Sequence, residues 1–135
     1  MRTALACALL LIVSAFPAHG AAGECWDTAR RCHDITDYRA DHNLPGLDQS
    51  RGLQDAAKAW ARHMAGDGIL AHSPGAYRGE WSEIVGTGPD WPTVLAAWDQ
   101  SDPHRAILLD PDLEHVGIGT ARDDTGRLWT AVVFR

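Results

Sequence analysis

The stretch Leu128-Trp-Thr-Ala-Val-Val-Phe134 constrains the fold of this chain more than any other. Successive side chains of a strand point to opposite faces, and here both alternating sets are apolar, so the strand needs cover on both sides. Val116-Gly-Ile-Gly-Thr-Ala121 precedes it across Asp123-Asp124-Thr125-Gly126, a pattern that predicts a hairpin. The upstream sequence reads as helical. Ala29, Cys32, Ile35 or Thr36, and Arg39 form a 3.6-period stripe within Thr28–Asn43, and Asn43-Leu44-Pro45-Gly46 stops it. Ser50 predicts the cap of a second helix whose buried face carries Leu53, Ala56, Ala57, Trp60 and Met64, with Gly66 and Gly68 at its end. Ser73 to Gly88 reads as a loop that closes with a short strand at Ile84-Val85. Trp91-Pro92 opens a third helix, and Asp102-Pro103 reads as N-cap and first position of a fourth. Helices ahead of a strand that needs cover on both faces imply an α+β domain layered α-β-α.

The N-terminus sets the expected compartment. Met1-Arg2-Thr3 is cationic, Ala4 to Phe16 is almost wholly apolar, and Pro17-Ala18-His19-Gly20-Ala21 is rich in small residues. This is the layout of a secretory signal peptide, with cleavage expected after Gly20 or, alternatively, Ala22. The apolar run falls short of the roughly 20 residues that span a bilayer. Residues 21–135 then form one domain of ordinary size, secreted or periplasmic and expected to be a monomer. Cys7 leaves with the leader. Loss of Arg2 takes the formal charge from −6 to −7. An acidic chain has no counterion-release drive toward nucleic acid or anionic membrane.

Cys25 and Cys32 remain, an even count that favours a disulfide in an oxidising compartment. Seven residues along one helix rise about 10.5 Å, whereas bridged Cα atoms lie within roughly 7 Å. Either the chain bends between the two, which the compartment favours, or the thiols stay separate.

Two histidines, His72 and His104, fall at helix ends, with Glu83 between them in the chain. Imidazole nitrogens and a carboxylate suit zinc, which takes about four ligands at roughly 2.0–2.2 Å. The plainer alternative is that His72 caps the preceding turn and His104 hydrogen-bonds Glu83 without any metal. Nucleophilic catalysis finds less support. Ser73 adjoins His72, but neighbours on an extended chain point apart, and no Gly-x-Ser-x-Gly elbow is present. Cys25 or Cys32 beside His33 carries no signature, and a bridge would abolish it. Glu80 and Glu83 form a glycosidase-like acid pair only if they leave solvent. Trp60, Trp98 and Trp129 read as core anchors, and Trp81 and Trp91 as flanks of the Gly-rich loop that either rim a groove or, as favoured, pack. His115 reads as a rim residue, and His33, His42 and His63 as surface residues. Arg105 is placed to pair with Asp99 or Asp102.

The order of these landmarks resembles the bacterial branch of the CAP superfamily, the SCP-like, pathogenesis-related and cysteine-rich secretory domains. Asp37-Tyr38-Arg39-Ala40-Asp41-His42-Asn43-Leu44-Pro45-Gly46-Leu47 is similar to the family's first helix and the turn after it. Leu53 through Met64, then Gly68-Ile69-Leu70-Ala71-His72-Ser73, resembles its second helix and His-Ser signature. Ser82-Glu83-Ile84-Val85-Gly86 lines up with its Gly-Glu-Asn-Ile motif. Trp98-Asp99-Gln100-Ser101-Asp102-Pro103-His104-Arg105 resembles its Trp-x-x-Ser-x-x-His-Arg block, and His115–Gly119 and Trp129–Phe134 its closing strands.

The resemblance implies a CAP-type three-layer sandwich, helices flanking a small, mostly antiparallel sheet. It also implies a cavity lined by His72, Glu83 and His104, which in some members holds zinc or another divalent cation. Three positions depart from the family pattern: Ile84 stands for the motif asparagine, Ser82 for the glycine before the glutamate, and Ser101 for the second carboxylate of animal and plant members. Asp99, the nearest acid, has the wrong register to replace it. The expected function is that of a secreted, non-enzymatic binding module for a divalent cation, a lipid, or a wall or peptide ligand. The alternative is a metal-dependent, peptidase-like hydrolase in which Glu83 serves as general base.

Overall fold

The computed structural model describes residues 22–135, with side chains from Thr28 onward. The expected signal peptide and Cys7 lie outside the described residues. Five helices and four strands follow in the order α1 (Ala22–Asp41), β1 (Asp48–Gln49), α2 (Arg51–Asp67), α3 (Pro74–Tyr77), β2 (Ser82–Gly88), α4 (Trp91–Asp99), α5 (Asp102–Leu108), β3 (His115–Arg122) and β4 (Leu128–Phe134). The sheet order is β1-β3-β4-β2. β4 runs antiparallel to both neighbours, and only the short β1 is parallel to its partner, β3.

All seven residues of β4 are buried. Leu128, Val132 and Phe134 pack with Ile35 of α1, Val94 and Trp98 of α4 and Leu108 of α5. Trp129, Ala131 and Val133 pack on the other side with Leu53, Ala57 and Met64 of α2. The strand is therefore covered on both faces, and the α-β-α layering follows. Among the described residues no helix is long and apolar enough to cross a membrane.

The approach of α2 to the sheet rests on two glycines of β3. A Cβ at Gly117 would lie 2.2 Å from Leu53 C and Gln54 N, and one at Gly119 would lie 2.1 Å from Ala57 C and Lys58 N. Only glycine lets the helix backbone come that close. On the other face, Arg39 of α1 is fully buried. Its Nε donates to Pro45 O at 2.9 Å, and its NH1 to Leu108 O and Asp110 O at 2.8 and 3.0 Å. One guanidinium thus ties α1 to the turn after it and to the end of α5.

Several local expectations are corrected. Helix α1 starts earlier than its stripe suggests and runs unbroken through Cys25 and Cys32. With about 10.5 Å of rise between them they do not bridge, and Cys32 is a free, buried thiol that burial pushes up to about 11. The stretch after Ser73 holds a helical turn, α3, capped by Ser73 Oγ. The short strand expected at Ile84-Val85 is the seven-residue β2, whose whole length pairs with β4. The N-cap of α5 is Ser101, one residue before the expected Asp102. Of the two readings of Trp91, groove rim or packing, the favoured packing holds: it is a core residue at 7% exposure, and its indole donates to Asp34 Oδ2 at 2.9 Å.

Gly119→Ala is expected to destabilise the chain by about 1–3 kcal/mol through overpacking. Gly66→Ala, a helical position with open space around the added methyl, is expected to gain up to about 1 kcal/mol. Urea midpoints measure both. Equal midpoints for the two variants would show that α2 does not rest on the glycines of β3.

Candidate functional site

The extended segment from Ile69 to Ser73 is pinned on both sides of His72. Trp60 Nε1 donates to Ala71 O at 2.8 Å, and the Ser73 N–H donates to Glu83 Oε1 at 2.8 Å. Glu83 Oε1 also receives His72 Nδ1 at 3.0 Å. A carboxylate oxygen only accepts, so Nδ1 carries the proton and Nε2 of a neutral His72 keeps its lone pair. The His72 side chain is 43% exposed, whereas that of Glu83 is 0% exposed. Burying a carboxylate costs stability unless hydrogen bonds offset it. Here the Ser73 N–H and the imidazole do so on one oxygen, while Oε2 meets no donor among the described residues.

His104 stands in the first turn of α5. Its Nδ1 lies 2.8 Å from Ser101 Oγ, and its ring stacks on Trp98 at 6.5 Å between centroids. Trp98 is itself anchored through Nε1 to Val85 O at 3.0 Å. The bond to His104 explains why Ser101 makes no side-chain cap to α5. Burial first, and then the charge on His72, hold the His104 imidazole below its ordinary value.

His72 also lines a cleft of about 240 Å³ together with Ala76, Tyr77, Trp81, Glu83 and Ile107. Tyr77 is 76% exposed at this place and meets the His72 ring edge-on, 6.2 Å between centroids. Tyr77 and Ile107 carry no site signal in the sequence, and Trp81 reads there as a flank of the loop that rims a groove or, as favoured, packs. The Ser73-Pro74 pair, a cap followed by proline at the first helical position, is the signal that would have placed α3 beside the cleft.

The remaining candidates go elsewhere. Ser73 Oγ is occupied as the cap of α3. Glu80 is taken by Arg78 at 2.6 Å on the surface, so it makes no acid pair with the buried Glu83. His33 and His63 are exposed and lie near Asp37 and Asp67. Asp99 accepts from Tyr38 OH at 2.6 Å and from Arg105 NH1 at 2.7 Å, which settles the partner of Arg105. Burial, and then Asp99, push the Tyr38 phenol up to about 12. Arg105 NH2 reaches His42 Nε2 at 3.2 Å, so His42, expected on the surface, is half-buried in this network.

Among the described residues no group of three or more His, Cys, Asp or Glu is arranged to hold a metal ion. Both imidazoles are engaged through Nδ1, His72 with Glu83 and His104 with Ser101. Glu83 orients His72 from behind, as carboxylates commonly do for ligating histidines.

The depressed His104 value carries a sign for stability. The unfolded chain takes up the proton at higher pH than the folded chain does. The contribution is therefore full above the ordinary histidine value of about 6.5 and is lost as pH falls through the folded value. The urea midpoint is expected to fall more steeply from neutral to mildly acidic pH in the wild type than in His104→Gln. Identical slopes would remove His104 from the account.

A family model for the cysteine-rich secretory protein family, CAP, matches residues 33–134. No curated protein matches the chain significantly. Among solved structures, an outer surface protein from Borrelia burgdorferi is 21% identical, with a TM-score of 0.70 over 81% of this chain and 91% of that one. An extracellular protein containing an SCP domain from Bacillus anthracis is 22% identical with a TM-score of 0.63, over 82% of this chain and 41% of that one. The protein MpPR-1i, at 12% identity, gives a TM-score of 0.66 over 85% of this chain and 90% of that one. At such identities the structures speak for the fold, and the family model speaks for the sequence. The chain belongs to the cysteine-rich secretory protein (CAP) family.

Proposed function

We propose that this chain is an exported, non-catalytic binding module whose ligand enters the cleft beside His72, within reach of His104. The observation that carries this reading is the pair of imidazoles each held through Nδ1, His72 by Glu83 and His104 by Ser101. Such a pair holds a divalent cation reversibly, with its remaining positions open to water or to donors of the ligand. Zinc would act there as a Lewis-acidic bridge between protein and ligand. The leader-like N-terminus and the extracellular or surface descriptions of the Borrelia and Bacillus structures support export.

The hydrolase alternative needs Glu83 to draw a proton from water. Its side chain is wholly buried, and one oxygen is already shared by Ser73 and His72, so the geometry favours an orienting role.

Calorimetric titration of the purified protein with Zn²⁺ is expected to show weak, saturable binding that is lost in His72→Ala/His104→Ala. Glu83→Gln should weaken it about 10–100-fold, as loss of an outer partner of a ligating histidine does. Acidification should weaken it as the imidazoles take up protons. Binding that survives the double substitution would place the cation elsewhere, and no saturable binding at all would remove the cation from the proposal.

A further inference from the structure

Two buried polar atoms beside the cleft lack partners, and they are opposite in kind. Glu83 Oε2 accepts from nothing, and Trp81 Nε1 donates to nothing, among the described residues. Each unpaired group is costly, more so when charged. Glu83 and Trp81 stand two residues apart along the chain entering β2, and both line the cleft. The indole is held there by α3: a Cβ at Gly75 would lie 2.1 Å from Trp81 Cζ2, so the ring lies directly against that glycine. The neighbouring Ser73 N–H reaches Glu83 Oε1 from the same turn. Both side chains thus lie at the junction of α3 with β2.

Charge and polarity narrow what can satisfy both atoms. An anionic group is repelled by Glu83. An apolar chain leaves both atoms unpaired. A simple cation serves Glu83 and leaves the indole N–H unpaired. A hydroxyl donates to the carboxylate and accepts from the indole, and adjacent hydroxyls on a sugar ring do so as one rigid fragment, with little ordering cost on binding. The exposed ring of Tyr77 offers an apolar face for the C–H side of such a ring.

We propose that the cleft takes a neutral saccharide, one hydroxyl donating to Glu83 Oε2 while it or its neighbour accepts from Trp81 Nε1–H. This rests on the reading of the cleft as a ligand site and names the chemical class of its ligand.

The test is calorimetric titration of the purified full chain with chitotriose and, separately, maltotriose, into the millimolar range. The two arms distinguish an amino-sugar glycan from a glucan. Saturable binding of at least one is expected. Trp81→Phe, which keeps the ring and removes the donor, should weaken it about 2–10-fold, the worth of one neutral hydrogen bond. Tyr77→Ala, at an exposed position where folding has little at stake, should weaken it too. Binding unchanged in both variants overturns the proposal by placing the sugar elsewhere. If neither trisaccharide binds while Zn²⁺ still binds through the histidines, the saccharide is overturned and the cleft stands, its two orphan atoms then being met by a water. If neither sugar nor Zn²⁺ binds, the reading of the cleft as a ligand site fails with it.

Discussion

The structure depends on the complete burial of β4. Each of its seven residues is withdrawn from water, and its backbone is paired on both sides, with β3 and with β2. At about 1.5–3 kcal/mol for each large apolar side chain buried, Leu128, Val132, Val133 and Phe134 outweigh any single polar contact in the molecule. Such a strand settles where the rest of the chain can go. Helix α2 must cover Trp129, Ala131 and Val133, while α1, α4 and α5 cover the opposite set. The glycines of β3 exist in this setting because the sheet accepts α2 at backbone distance.

The polar site is a consequence of that packing at one edge. β2 is the last strand of the sheet, and its register sets Glu83 opposite Val133. Glu83 is therefore carried inward with the core, where it meets the Ser73 backbone and His72 instead of solvent. Trp98, buried under α5, sets the plane on which His104 stacks. Each histidine is thus oriented by a group that the core has already immobilised. Preorganisation of this kind lowers the entropy that binding would otherwise cost.

Much of this is legible in the chain itself. The two apolar sets of Leu128–Phe134 announce a covered strand. The Asp123–Gly126 turn announces a hairpin, and Ser50 and Pro92 mark two helix starts that the fold keeps. The histidines and Glu83 stand out by their place at element ends. Their roles do not, because which carboxylate oxygen meets which ring nitrogen depends on segments eleven residues or more apart. Glu83 reads equally as a ligand, a base or the partner of His104, and the packing makes it the partner of His72. Ser101 looks like a lost carboxylate and serves as the neighbour of His104. Asp102 carries a good cap signal, yet Ser101 takes the cap position with its hydroxyl turned to the imidazole.

The sequence by itself determined the class of fold and its longer elements, though not β1 or α3, because hydrophobic periodicity and capping are local properties that each segment carries wherever it is placed. It left the bridge between Cys25 and Cys32 favoured, because the helix it announces starts after Cys25; the unbroken α1 overturned that. Only the tertiary structure decided what the polar residues do. The cleft and the network joining Tyr38, Asp99, Arg105 and His42 each unite residues that are distant in the chain. A buried carboxylate or imidazole takes its partner from whatever the packing brings within about 3 Å, and that distance is a property of the assembled layers.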